Sequence, residues 1–251
     1  MKNSDKFSTG KFTEDTSQKR YPAFLNNKSV LEFKNRARFI VFEGLDGSGH
    51  TTQANLLKEF LIKNKVKVIS TKEPTINSKQ GRKIREILTE KKKVSPKTLQ
   101  ELFTEDRKAH LRNVIIPALK KGSMVICDRY FFSSFAYGVS DGLDLDWLIE
   151  INRNFLMPDL IFILKVKPEI CLRRIKKRGE EKELFEKKEK LAKVWETYKT
   201  LPIKFKNIYP VRKSGIKIEA YEGKVDFSNG VYIIDGEKPI KEVFEEVKTF
   251  F

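Results

Sequence analysis

Short apolar segments alternate with longer amphipathic segments along most of the chain. Five apolar segments are rich in β-branched and aromatic residues and predict strands. They are RFIVFEG (38–44), VKVIST (66–71), MVICD (124–128), DLIFILKV (159–166) and GVYIIDG (230–236). Their apolar runs are nearly continuous, which is typical of strands that are covered on both faces of a sheet.

Segments with apolar residues at helical spacing lie between these strands. They are TQANLLKEFLIKN (52–64), GRKIREILTE (81–90), PKTLQELFTEDRKAHLRNVIIPALKKG (96–122), PEICLRRIKKR (168–178) and KELFEKKEKLAKVWETYKTL (182–201). Strands that alternate with helices form parallel βαβ units. The pattern therefore predicts an α/β fold, a doubly wound parallel five-stranded sheet with helices on both faces. Ligands of such sheets bind at the carboxyl ends of the strands.

Two regions do not fit this alternation. Residues 1–36 are polar and mixed in charge apart from YPAFL at 21–25, which predicts a flexible N-terminal arm before a domain at 37–251. SGIKIEAYEGKVDFSNG (214–230) contains two alternating runs about EG and predicts an extra surface hairpin before the last strand. The sequence assigns no function to either region.

Composition predicts a soluble, cytoplasmic protein. The chain has 251 residues, of which 39% are hydrophobic, and can bury a substantial core. It contains no apolar run of the roughly 18 to 20 residues that span a bilayer, and its first residues lack the apolar core of a secretory signal. Cys127 and Cys171 lie inside apolar segments without metal-ligand spacing, which favours buried structural roles and a reducing compartment.

The net charge of +17 favours polyanionic ligands such as nucleotides, nucleic acid or acidic membranes. The lysines are dispersed along the chain, however, and no basic stripe with interleaved aromatic residues and no nucleic-acid motif is present. Lysine-rich solvated faces are the simpler interpretation, so we expect no nucleic-acid partner and no membrane association.

The most informative stretch is GLDGSGHTT at 44–52, which joins a predicted strand to a predicted helix. It follows the phosphate-loop pattern G-x-x-x-x-G-K-[ST], except that His50 replaces the lysine. Glycines let the backbone N–H groups turn toward a phosphate, and the helix N-terminus adds partial positive charge. Thr51 is placed to reach Mg²⁺ through its hydroxyl. We predict an ATP site that includes Gly44, Asp46, Gly47, Ser48, Gly49, His50, Thr51 and Thr52.

His50 changes the electrostatics of this loop. A lysine offers the β- and γ-phosphates a permanent charge, whereas a neutral imidazole offers one donor and has a reference pKa of about 6.5. Beside a triphosphate we expect the pKa of His50 to rise, so that the ring replaces the lysine imperfectly. Activity is then expected to increase at lower pH or in a His50→Lys variant. The alternative is that the lysine was lost together with catalysis.

Eight segments follow the order and approximate spacing of one family. They are FIVFEGLDGSGHTTQ, TKEPT, GRKIREIL, LFTEDRKAH, DRYFFSSFAYG, PDLIFIL, RRIKKRG with LFE, and YIIDG. Over residues 38–250 the chain resembles thymidylate (dTMP) kinases, which are P-loop nucleoside monophosphate kinases. The resemblance implies a fold of the P-loop NTPase type with a small helical lid at 173–186. It also implies a homodimer and the transfer of the γ-phosphoryl group of ATP to dTMP with Mg²⁺.

The resemblance also implies catalytic residues. Asp128 matches a carboxylate that orients Mg²⁺ together with Thr51, and Arg129 matches an arginine near the transferred phosphoryl group. Arg174 and Arg178 match lid arginines that approach ATP, and Arg178 is the implied catalytic arginine of the lid. The alternative for these two residues is an ordinary basic helix end.

The implied acceptor site contains a stacking ring, a base-binding arginine and groups that contact the sugar and phosphate. These residues are Asp46, Arg85, Phe103, Arg107, Arg129, Ser134 and Tyr137. A core phenylalanine, a turn-forming aspartate and a solvent-facing Arg85 are the simpler alternatives. Lys72 and Gly138 stand where the family commonly has arginine and glutamine, which leaves the acceptor base open. dUMP, another nucleoside monophosphate or a deoxynucleoside are alternative acceptors, and a nucleotide-binding pseudokinase is the alternative to an enzyme.

Overall fold

The computed structural model of the protein describes residues 38–89, 91–177, 184–205 and 230–251, and the side chains of 184–187 are not described. The arm predicted at 1–36 and the candidate catalytic residue Arg178 lie outside these residues. Most of the hairpin predicted at 214–230 and of the lid predicted at 173–186 also lies outside them, or within them without described side chains.

Five parallel strands form one sheet. They are β1 (Phe39–Gly44), β2 (Val68–Lys72), β3 (Met124–Asp128), β4 (Leu160–Lys165) and β5 (Val231–Asp235). Their order is β2-β3-β1-β4-β5, with β1 in the centre. Each strand overlaps a strand predicted from the sequence, and β3 coincides with its prediction, so the predicted parallel sheet is confirmed.

The register of the sheet brings the phosphate loop beside the end of β3. Phe42 of β1 is paired with Asp128 of β3, and Gly44 is paired with Leu164 of β4. Because parallel strands end at the same edge of a sheet, the loop that starts at Gly44 lies next to Asp128 and the residue after it.

The helices lie between and after the strands. They are α1 (His50–Lys63), α2 (Lys79–Leu88), α3 (Pro96–His110), α4 (Ile116–Lys120), α5 (Phe131–Ser140), α6 (Leu145–Asn152), α7 (Pro168–Lys176), α8 (Leu184–Lys204) and α9 (Ile240–Lys248). The helix predicted at 96–122 is interrupted by a π-helical turn, Leu111–Ile115, just before Pro117. Pro117 has no N–H to continue the regular helical ladder, which accounts for the change in winding.

Helices α5, α6 and α9 had not been predicted from the sequence. Helix α5 is buried on most of its circumference, so its residues show no alternation of polar and apolar faces at helical spacing. Its sequence, FFSSFAYGVS, is therefore as compatible with a buried strand as with a helix.

Each face of the sheet is covered by its own hydrophobic core. On one face, Ile40 and Phe42 pack with residues of α1 and α9. On the other face, Phe39 and Val41 pack with residues of α5 and α8, among them Tyr198. This two-sided burial explains the nearly continuous apolar runs of β1, β3, β4 and β5. The edge strand β2 has no buried residue, so our expectation of cover on both faces is wrong for this strand. In the part of the chain that the structure describes, no helix is both long and apolar enough to cross a bilayer. Cys127 and Cys171 are buried free thiols, as predicted.

Candidate active site

The loop between β1 and α1 is folded by glycines with positive φ, which are Gly44, Gly47 and Gly49. Gly47 has φ of 83°, and a Cβ atom there would lie 2.5 Å from the carbonyl oxygen of Cys171, so both the backbone angle and the close approach require glycine. Gly49 is the N-cap of α1 and provides no side-chain cap. The first N–H groups of α1 are therefore available to bind an anion.

The side chain of Ser48 is packed against Gly44, where an added Cβ atom would lie 2.6 Å from its Oγ. Its side chain is 1% exposed, and its Oγ has no hydrogen-bond partner among the residues that the structure describes. A buried polar atom without a partner costs about 1–3 kcal/mol. Because this oxygen has almost no exposed surface, it does not face a ligand in the loop.

His50 is bonded at both ring nitrogens to residues at the end of β3. Nδ1 lies 2.5 Å from Oδ1 of Asp128, and Nε2 lies 3.0 Å from Nη2 of Arg129. Because a guanidinium N–H can only donate, Nε2 must accept, and the ring proton is on Nδ1. Burial lowers the pKa of His50, and the charge of Arg129 lowers it further, although Asp128 opposes both effects.

Our expectation of a raised pKa for His50 concerns a ring beside a triphosphate, and it stays a prediction. In the structure the pKa is lowered, so the imidazole is neutral near pH 7. Its one N–H is donated to Asp128. In this arrangement the ring has neither a charge nor a free N–H to offer in place of the lysine. It links the carboxylate of Asp128 to the guanidinium of Arg129.

Asp128, at the end of β3, and Thr51, in the first turn of α1, bring two side-chain oxygens together that could bind a metal ion. The hydroxyl of Thr51 donates to Oδ2 of Asp128 at 2.7 Å. Burial by itself raises the pKa of Asp128, but the hydrogen bonds from His50 and Thr51 and the charge of Arg129 outweigh burial and hold the pKa below its usual range. An ionised carboxylate and a hydroxyl are ligands that Mg²⁺ prefers, so these residues fit a magnesium site.

Arg129 lies against the phosphate loop in an unusual backbone conformation. Its φ is 69°, which is costly for a residue with a side chain. Nη1 donates to the carbonyl oxygen of Gly44 at 3.0 Å and to Oγ of Ser133 at 2.9 Å, and Nη2 donates to the exposed carboxylate of Asp46 at 2.5 Å. The guanidinium also lies 5.3 Å from the ring centre of Tyr137. The structure thus brings together Asp46, Arg129 and Tyr137, three of the predicted acceptor residues.

Arg107 and Ser134 are also brought together, inside a buried network. Nη2 of Arg107 donates to Oγ of Ser134 at 3.0 Å, Nε donates to Glu73 at 2.8 Å, and Nη1 donates to Asn152. The side chain of Arg107 is 1% exposed. Our sequence interpretation missed Glu73 and Asn152 as members of the site. Glu73 carried a signal, since it lies in the TKEPT segment, whereas nothing in the sequence around Asn152 selects it.

The remaining acceptor candidates occupy different surroundings. Phe103 is half-buried on α3, four residues before Arg107. Arg85 donates to the carbonyl oxygen of Thr75 at 2.7 Å and to that of Ile76. The guanidinium of Arg85 therefore fixes the loop before α2, and no phosphate-facing orientation is evident from its bonds.

Arg174 of α7 lies on the opposite side of the loop from Asp128. It donates to the carbonyl oxygen of Ser48 at 2.9 Å and to that of Gly236 at 3.0 Å. Arg174 therefore joins α7, the phosphate loop and the end of β5. Thr52 is half-buried in the first turn of α1.

A cavity of about 540 Å³ lies beside the candidate magnesium ligands. Thr51 and Asp128 line it, and it continues along the edge strand β2 to Lys72. Phe103 and Tyr137 do not line this cavity. The cavity is therefore adjacent to the phosphate loop and separate from the predicted base-binding residues.

The sequence is similar to those of known proteins. A family model described as thymidylate kinase matches residues 42–225. A "Probable thymidylate kinase" of Pyrococcus abyssi is 40% identical over 192 residues, which cover 74% of this chain and 93% of that protein. Another of the same description, from Pyrococcus horikoshii, is 48% identical over 149 residues, 57% of this chain and 72% of that protein. A "Thymidylate kinase" of Desulfotalea psychrophila is 39% identical over 168 residues, 66% and 83% of the two chains.

The range matched by the family model includes the phosphate loop, α3 and the end of β3, where the structure places most of the candidate residues. The fold, the site and the sequence similarity lead to one conclusion: the chain belongs to the thymidylate kinase family.

Proposed function

We propose that the protein transfers the γ-phosphoryl group of ATP to dTMP, giving dTDP and ADP in the synthesis of dTTP. The observation that supports this most directly is the connected set of side chains at the base of the phosphate loop. Thr51 is bonded to Asp128, Asp128 to His50, and His50 to Arg129. Phosphoryl transfer depends mainly on positioning and on charge neutralisation, and this set provides fixed groups for both.

The ATP site is proposed to consist of the loop and the start of α1. Backbone N–H groups of the loop and of the first turn of α1 bind the phosphates, apart from those of Asp46 and Ser48, which are bonded to Tyr137 and Leu45. Because His50 is neutral and already bonded, positive charge must come from elsewhere. Arg129 and Arg174 contact the loop at Gly44 and Ser48, and Arg178 is proposed as a further lid arginine.

Thr51 and Asp128 are proposed to hold Mg²⁺, which neutralises phosphate charge when it is bound. The hydrogen bond between these residues fixes both oxygens before a ligand arrives. His50 fixes the other carboxylate oxygen of Asp128. Arg129 then offers a permanent charge beside the loop, where charge accumulates on the transferred group.

The dTMP site is proposed to lie between α3 and α5. Phe103 provides a ring for stacking on the base, and Tyr137 and Asp46 lie beside Arg129, where the sugar and phosphate are expected. Arg107 is buried, and it holds Ser134 and Glu73 in place as part of that site. Arg85 is proposed to act indirectly, through the loop that it fixes.

A homodimer and a cytoplasmic location are also proposed. Exposed apolar side chains occur at Ile76, Leu88, Val94 and Val114, which are near or within the α2 and α3 region. Partly exposed apolar residues in neighbouring elements fit a contact with a second copy of the chain. Sedimentation velocity would test the dimer, and a concentration-independent monomer would contradict it.

The decisive experiment is ADP release from purified protein with MgATP, with and without dTMP. We expect turnover that depends on dTMP and exceeds turnover with dUMP, dCMP or thymidine. An Arg129→Ala variant provides the control for contaminating kinases. ATP binding without ADP release for any acceptor would favour the pseudokinase interpretation, for which the absent loop lysine is the supporting observation.

A further inference from the structure

Glu43 is the last side chain before the phosphate loop, and its carboxylate is fully buried. Oε1 accepts hydrogen bonds from the backbone N–H of Tyr130 at 2.9 Å and of Ser133 at 3.3 Å. Oε2 accepts from the hydroxyl of Ser133 and from that of Tyr198 at 3.0 Å. An ion that is buried to this extent must be satisfied by several donors, and Glu43 has four such contacts.

These donors connect Glu43 to Arg129 in two ways. The N–H of Tyr130 belongs to the peptide directly after Arg129, so its bond to Glu43 fixes the backbone where Arg129 has positive φ. The hydroxyl of Ser133 has a single hydrogen. When that hydrogen is donated to Glu43, the lone pairs of the hydroxyl oxygen are left to accept hydrogen bonds from other groups. Nη1 of Arg129 donates to that oxygen at 2.9 Å. Glu43 thus orients both the backbone and the guanidinium of Arg129.

Tyr198 connects the same carboxylate to α8. Its ring is fully buried, and its hydroxyl lies 3.0 Å from Oε2 of Glu43 and 2.9 Å from Oγ of Ser133. Helix α8 therefore contributes a donor to Glu43 although it contributes no residue to the proposed ATP or dTMP site.

We propose that Glu43 is a positioning residue for phosphoryl transfer: its ionised carboxylate holds Arg129 against the phosphate loop through Ser133, and Tyr198 supports that carboxylate from α8. The inference rests on the proposed role of Arg129 and extends it to residues that do not touch a nucleotide. Protonated Glu43 must place its own hydrogen toward a neighbour, which removes the acceptor that orients Ser133.

The charge state of Glu43 changes near neutral pH. Burial raises its pKa to about 7, against the opposing effects of Ser133, Arg129, Tyr130 and Tyr198. The titratable groups that face it are Cys127 on β3, Arg129 after β3 and Tyr198 on α8. The pKa values of Cys127 and Tyr198 are raised well above their usual range, so both are neutral and Arg129 alone among these groups is charged. Activity is therefore expected to fall as the pH falls through about 7.

The test is the pH dependence of kcat for dTMP-dependent ADP release, compared between the wild type and Tyr198→Phe. Removing one donor from the carboxylate raises the pKa of Glu43, so the acid limb is expected to move to higher pH by about one unit. KM for ATP and for dTMP should stay within about twofold at pH 9, where the carboxylate is ionised in both proteins. Tyr232→Phe removes a buried tyrosine hydroxyl on β5 and should leave the profile unchanged.

Glu43→Gln gives the second arm. It keeps the shape but removes the ionisable group, so we expect kcat to fall about 10–100-fold and the acid limb to disappear, with ATP affinity within about threefold. If this variant does not fold, the Tyr198→Phe profile decides alone.

Three outcomes would overturn the inference. If the fall of kcat at low pH occurs at the same pH in the wild type and in Tyr198→Phe, it is caused by protonation of the nucleotide phosphates and not of Glu43. A limb that persists in folded Glu43→Gln would contradict it independently. A wild-type protein that is inactive with dTMP at every pH would mean that the proposed function is wrong as well, whereas the first two results leave that function intact.

Discussion

The phosphate loop and the acceptor side of the site are built on different principles. In the loop, the proposed ligand-binding groups are backbone N–H groups, which glycines orient and the N-terminus of α1 reinforces. On the acceptor side, the groups are side chains, and Arg107 shows how they are held, since it is bonded to Glu73, Ser134 and Asn152 with almost no exposure.

The difference explains how the loop keeps its backbone conformation with His50 in place of lysine. The backbone of the phosphate loop can keep its conformation when one side chain is replaced. The imidazole of His50 is bonded to Asp128 and Arg129, outside the loop. A buried network such as that of Arg107 has no comparable freedom, because each member leaves another polar atom unpaired when it is replaced. Changes in the buried network of Arg107 should therefore affect stability, and changes beside the loop should affect turnover.

Arg107→Met tests this comparison with the largest expected effect. It leaves the carboxylate of Glu73 buried without its arginine partner, which should lower the free energy of unfolding by about 3–5 kcal/mol. Urea unfolding monitored by tryptophan fluorescence would measure the loss. Arg153→Met removes a surface arginine paired with Glu150 and should change stability by less than about 1 kcal/mol. Equal stability of the two variants would contradict the idea that Arg107 is part of a buried structural network.

Arg129→Ala should act on turnover instead. Removing a fixed charge beside the transferred group is expected to lower kcat by about 10²–10³-fold, with ATP affinity changed only several-fold. Steady-state kinetics and calorimetric ATP titration would separate the two effects. Arg173→Ala, which changes an exposed arginine of α7, is the matched control. A variant of Arg129 that loses ATP binding but keeps kcat at saturation would show that the residue serves binding alone.

Phe103→Ala should weaken binding of the acceptor without affecting the loop. Loss of a stacking ring costs about 1–3 kcal/mol per base, so KM for dTMP is expected to rise about tenfold while KM for ATP stays within twofold. Phe103→Tyr keeps the ring and should retain wild-type KM values. If both variants bind dTMP like the wild type, Phe103 is a core residue of α3 and the base lies elsewhere.

The sequence predicted the parallel sheet because four of its five strands contain buried residues and have nearly continuous apolar runs. The edge strand β2 was identified by its β-branched residues, although none of its residues is buried. The sequence did not predict α5, because FFSSFAYGVS is buried nearly all round and lacks the polar face that marks a helix. The same limit applies to the site. Gly47 could be identified because only glycine fits its backbone, whereas the role of a side chain depends on partners that come from distant segments.

Arg107 and His50 illustrate that dependence. Spacing placed Arg107 and Phe103 on one helix face, but the bonds to Glu73 and Asn152 join residues that are 34 and 45 positions away in the chain. For His50, the motif predicted a ring beside phosphate, and the structure shows a ring that is occupied by Asp128 and Arg129. Sequence patterns therefore identified the loop and the reaction class. Only the structure shows whether each side chain is free to bind a ligand or is already bonded within the protein.

Substitutions of His50 give the smallest expected effects and separate its two possible roles. Glutamine can donate one hydrogen bond and accept another, so His50→Gln can preserve the links to Asp128 and Arg129 and should keep kcat within about threefold of the wild type. His50→Met, which can do neither, should lower kcat about tenfold. His50→Lys restores a charge for the phosphates but cannot accept from Arg129, so we expect a lower KM for ATP without a gain in kcat. Measured at saturating dTMP, these three variants decide the question: a large increase in kcat for His50→Lys would mean that charge at this position limits the reaction, and equal activity of the Gln and Met variants would mean that the links through the imidazole have no catalytic role.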